Sequence, residues 1–95
     1  MKKPYLAIFA LPKPTHEHAK IIEVIRVASS GDFKQFPIPG GIGFVFTTEQ
    51  MPWHLSFDEI LMNTDSMLIT EMGENVANRG FGAAAGWINS HFPRK

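Results

Sequence analysis

Hydrophobic and polar positions follow two rhythms along this chain. From Tyr5 to Leu11 an apolar run bounded by Pro4 and Pro12 is too short for a helix and predicts a buried strand. Thr15 then suits a helix cap, with Glu17 in the first turn near the positive end of the dipole. Ile21, Ile22, Ile25 and Ala28 recur at helical spacing, with Lys20, Glu23 and Arg26 outside the stripe. Ser29, Ser30 and Gly31 end that helix.

The next stretch, DFKQFPIPGGIGFVFTT, predicts a hairpin. Phe33 and Phe36 flank Lys34 and Gln35 in imperfect alternation, and Pro37 and Pro39 restrict the first arm to an edge or bulged strand. Gly40 and Gly41 suit the turn, and Ile42 to Thr48 is rich in aromatic and β-branched residues, as a second arm requires. Trp53, Phe57, Ile60 and Leu61 then stand at helical spacing. Pro52 suits the first turn of such a helix, with Ser56 and Glu59 forming a competing capping box. Asn63 to Ser66 predicts a turn and Met67 to Met72 a fourth strand. Ala77, Phe81, Ala84, Ile88 and His91 trace one face of a last helix, with Trp87 beside it.

The predicted order is β-α-β-β-α-β followed by a helix. It describes a single α+β domain over residues 1–95, a ferredoxin-like antiparallel sheet with helices on one face plus a C-terminal helix. The other sheet face then needs cover from that last helix or from a second subunit. For so small a chain with eight Phe a homodimer is an economical solution, and Phe44, Phe46, Trp53 and Trp87 are candidates for core or dimer packing.

Composition narrows the chemistry. The 95 residues are 44% hydrophobic, as a globular domain requires, and contain no cysteine, which removes disulfides and thiolate metal sites. LAIFAL after Lys2 and Lys3 is too short for a secretory leader, and no apolar run reaches the ~20 residues of a membrane span, so a cytoplasmic location without membrane partners is expected. Net charge is zero but uneven. Residues 1–40 carry six basic against three acidic side chains, whereas residues 41–78 carry six acids and no Lys or Arg. Clustered basic excess of the kind that draws nucleic acid is missing, and the acidic stretch suits self-association or a basic partner.

Motifs for catalysis and ligand binding are sparse. His16 and His18 are two residues apart, which on a helix places them on different faces, and no third ligand accompanies them, so no metal is assigned. PGGIGF lacks phosphate-loop spacing, and no other cofactor motif replaces it. His54 and Asp58 would pair at i, i+4 if the middle helix began early, and Ser29, Ser30 and Ser90 lack a nucleophile context. In the polar loop between Glu71 and the last helix, Gly73 and Gly80 permit positive φ, while Asn75 and Asn78 can bond nearby backbone. Arg79 there has two open readings, a donor fork closing a tight strand-to-helix connection, or a contact to phosphate or partner together with Asn75 and Asn78.

The run DSMLITEMGENVANRGFGAAAGWINSHF resembles the C-terminal part of SinR-like proteins, related to the small ferredoxin-like subunit of CRISPR adaptation and to VapD-type toxins. Gly73, Val76, Ala77, Arg79 and Gly80 carry the match, and YLAIFALPKP and GFVFTT resemble the first and third strands. The resemblance implies a nuclease-like scaffold with an acid at the end of the first strand. Here that position is Ala10, whose methyl group cannot ligate Mg²⁺ or Mn²⁺. The expectation is therefore a non-catalytic accessory or interaction protein, dimeric, with a protein or nucleic-acid partner and no assigned catalytic residue. A metal-dependent ribonuclease using relocated acids such as Asp32 or Asp65 is the alternative, and pure self-assembly a third reading.

Overall fold

The computed structural model describes residues 2–12, 18–51, 54–73 and 82–92. Four strands, β1 (Lys3–Ala10), β2 (Phe33–Ile38), β3 (Gly41–Thr48) and β4 (Ser66–Glu71), form one antiparallel sheet in the order β2-β3-β1-β4. Two helices, α1 (His18–Ser29) and α2 (Ala83–His91), complete an α+β architecture. Neither is long and apolar enough to cross a membrane.

Local chemistry explains most of these elements. Helix α1 buries Ile21 and Ile25 and ends in a Schellman arrangement. The Gly31 amide donates to the Arg26 carbonyl and the Ser30 amide to that of Val27, with Ser30 and Gly31 at φ 53° and 85°. Pro39 and Gly40 form the β2–β3 turn, Gly40 supplying φ 74°, and Ile38 pairs with Gly41. Gly41 thus belongs to β3 rather than to the turn. It is required there because a Cβ would lie 1.9 Å from the Phe9 carbonyl oxygen. Pro37 is tolerated because β2 is an edge strand.

Two expectations change. The middle helix expected over Trp53–Leu61 is absent from the described residues of that segment, which hold instead a 3-10 turn at Phe57–Glu59, and Ser56 makes no side-chain cap. So short a segment gains little from helix formation alone. Burial of Phe57 at 0% exposure, with its ring 5.0 Å from that of Phe9, decides its course instead. The helices also do not share a face. Tyr5, Ala7, Phe9, Ile42, Phe44 and Phe46 face α1 and the Leu55–Phe57 segment in one core, whereas Phe36 and Val45 meet Ala84, Trp87 and Ile88 of α2 in a second. The alternation of β3 between the two explains why Ile42 to Thr48 is buried throughout. The last helix is thus the cover for the second face, over its β2–β3 half.

Candidate functional site

The Schellman end of α1 delivers the chain to Asp32, whose carbonyl accepts the Thr47 amide at 3.2 Å and pins it beside β3. Its carboxylate then gathers three side chains. Trp87 Nε1 donates to Oδ1 at 2.9 Å, and Thr47 Oγ1 donates to Oδ2 at 2.6 Å, with His91 Nε2 3.3 Å from that oxygen. The His91 ring stacks on Trp87 at 3.8 Å between centroids, and its Nδ1 lies 2.9 Å from the Trp87 carbonyl. Partial burial pushes the Asp32 carboxyl up, but the bonds from Thr47, Trp87 and His91 and the attraction of His91 outweigh it and hold the group below its ordinary value.

Ser90 Oγ lies 3.3 Å from His91 Nδ1, so Ser90, His91 and Asp32 stand together as a hydrolase triad would. Their roles are wrong for catalysis. Ser90 meets Nδ1 and Asp32 meets Nε2, and Nδ1 also faces the Trp87 carbonyl, which only accepts; a ring that gives its Nδ1 hydrogen to that carbonyl cannot take the Ser90 proton. The cluster is a clamp that fastens α2 to the sheet. No local spacing in the sequence signals it, since Asp32 lies 55 residues from Trp87 and 59 from His91.

The relocated acids do not meet. Asp32 sits beside Thr47, which pairs with Pro4, whereas Asp65 precedes Ser66, which pairs with Ala10. Pro4 and Ala10 are six residues apart along one strand, about 20 Å, too far for a shared metal ion. The Asp65 carboxylate accepts the Met62 amide at 2.7 Å and closes the turn before β4. Ala10 is exposed at the end of β1, and no group of three His, Asp or Glu side chains suited to a metal ion occurs among the described residues.

Phe44 and Phe46 are wholly buried in the α1 core, and Trp87 is buried in the α2 core. Trp53, Asn75, Asn78, Arg79 and His16 lie outside the described residues. An open groove of about 290 Å³ runs along α1, with Val24, Val27 and Leu55 among its apolar lining and Glu23 and His54 among its polar residues. Arg26 bonds Glu23, which holds that carboxyl below its ordinary value. Strand β4 is a further surface feature of the described residues. It is an edge strand, and Met67 and Leu68 on its opposite faces are 39% and 61% exposed.

No protein-family model, curated protein or solved structure matches the chain.

Proposed function

We propose that this protein is a non-catalytic interaction module on a small ferredoxin-like scaffold, acting as a dimer that presents a binding surface to a protein partner. The observation that carries this reading is β4, an edge strand among the described residues with large apolar side chains exposed on both faces. Such surfaces on small domains mark contact sites. The all-antiparallel order β2-β3-β1-β4 supports the ferredoxin-like reading, with a 3-10 turn among the described residues between β3 and β4 where that reading expects the second crossover helix.

The acids support the same reading. Asp32 is shared among three protein side chains, Asp65 Oδ2 accepts the Met62 amide in the turn it closes, and Ala10 stands where the resemblance to nuclease-like proteins calls for a metal ligand. Balanced charge, nine basic against nine acidic residues, favours protein over nucleic acid as partner.

Labelled single-stranded RNA and double-stranded DNA, incubated with Mn²⁺ or EDTA, test this reading through anisotropy and cleavage read in the same samples. The expected result is no metal-dependent cleavage and no binding that persists at physiological salt. Mn²⁺-dependent cleavage that disappears in Asp65→Asn, with folding intact, overturns it. Salt-resistant binding without cleavage replaces the protein partner with a nucleic acid.

A further inference from the structure

We infer that β4 pairs antiparallel with β4 of a second copy, in a register centred on Ile69, joining two sheets into one of eight strands. This rests on the reading of the protein as an interaction module and names the surface it uses.

Backbone geometry supplies the first argument. The Met72 amide donates to the Pro4 carbonyl at 2.9 Å, so the even-numbered residues of β4 direct their backbone groups toward β1. In an antiparallel ladder the direction alternates, so Met67, Ile69 and Glu71 direct their N–H and C=O groups outward. None of these residues is Pro, and no Lys guards the strand. Its one charged side chain, Glu71, lies at its end beside Lys3, 3.6 Å from the ammonium. The opposite edge differs, because β2 carries Pro37 and Lys34. Natural sheets blunt free edges with such residues, and only one edge here has been blunted.

Symmetry and charge choose the register. A two-fold axis relating antiparallel edge strands stands normal to the sheet, so each side chain stays on its own face and residues of like parity pair. Centring on Leu68 would place Asp65 opposite the partner's Glu71 twice, setting like charges against each other. Centring on Ile69 avoids this and pairs the strand over its full length. Ile69 meets the partner's Ile69, Leu68 meets the partner's Thr70, and Met67 meets the partner's Glu71. Leu68 loses its exposure on the α2 face and Met67 on the α1 face. The outward amides of Ile69 and Met67 find the acceptors they lack within the sheet.

The test is sedimentation velocity over a dilution series, with Met67→Pro and Leu68→Lys, and oxidative cross-linking of single cysteines in a chain that has none. Met67→Pro removes only an outward amide, so the β1 ladder survives, and the dimer dissociation constant should rise about tenfold or more through two symmetry-related bonds. Leu68→Lys should weaken the dimer while far-UV circular dichroism stays unchanged, which keeps the test intact if the proline variant unfolds. Ile69→Cys should cross-link, its pair lying about 5.5 Å apart at Cα, within disulfide range. Leu68→Cys should not, because its symmetry mate lies on a diagonal about 7–8 Å away.

A monomer at every concentration overturns the inference, as does a dimer indifferent to both strand variants or cross-linking at Leu68→Cys in place of Ile69→Cys. Failure of the non-catalytic reading would show separately, as metal-dependent cleavage, whatever the association state.

Discussion

Replacing Asp32 by Ala removes the shared partner of three side chains at once and is the sharpest probe of how α2 is held. Trp87 is 7% exposed, so its indole N–H would lose its partner in a nearly dry site, at about 1–3 kcal/mol. The Thr47 hydroxyl can rotate and gives back part of its loss, about 0.5–1 kcal/mol. The pair with His91 has side chains 29% and 40% exposed, and at that exposure solvent screening leaves about 0.5 kcal/mol. Together these predict a loss of about 2–4 kcal/mol, a large share of the ~5–15 kcal/mol typical of a domain. Asp32→Asn keeps one acceptor for Trp87 and should lose about half as much. Because the folded-state carboxyl is held below its ordinary value, its contribution is complete above that value and disappears as pH falls through the folded one. Urea unfolding followed by circular dichroism should therefore show the gap between wild type and Asp32→Ala at pH 7, and show it closing in strong acid. A gap below about 0.5 kcal/mol at pH 7, or one undiminished in acid, would refute the clamp.

Four other substitutions test local features, all measurable by the same unfolding curves. Gly41→Ala sets a methyl against the Phe9 carbonyl and should cost about 3 kcal/mol, more than Gly43→Ala, whose new Cβ meets the Phe36 ring and should cost about 1–2 kcal/mol. A larger loss at Gly43 would mean that the ring yields less than the backbone. Thr48→Val breaks the bond to the Ala28 carbonyl at 2.8 Å and the one accepted from the Gln50 amide, at about 1–3 kcal/mol; a neutral result would show both groups finding water. Ser30→Gly should stabilise by about 0.5–1 kcal/mol, since Ser30 holds φ 53° at the end of α1, and a loss would show that its side chain contributes there.

The amino-acid sequence by itself determined the strands and the two longer helices. Apolar runs bounded by prolines, the Ile21–Ile25 stripe and the Gly-terminated hairpin are local patterns, and local sterics and burial periodicity suffice to read them. It also limited β2 to an edge or bulged strand through Pro37 and Pro39, of which the sheet order shows the edge, and set Ala10 at the end of β1. Tertiary structure decided the rest. Helical spacing from Trp53 to Leu61 gave way to the burial of Phe57 against Phe9, because a short segment draws more from one deep aromatic contact than from a single helical turn. The face taken by α2 was settled by Phe36, Val45 and the Asp32 carboxylate, partners from other elements that no periodicity within α2 encodes. Asp32, Trp87 and His91 became one cluster, and Asp32 and Asp65 were parted to opposite ends of the sheet, for the same reason. Spacing along the chain specifies which side chains share a face, and strand register specifies which faces meet.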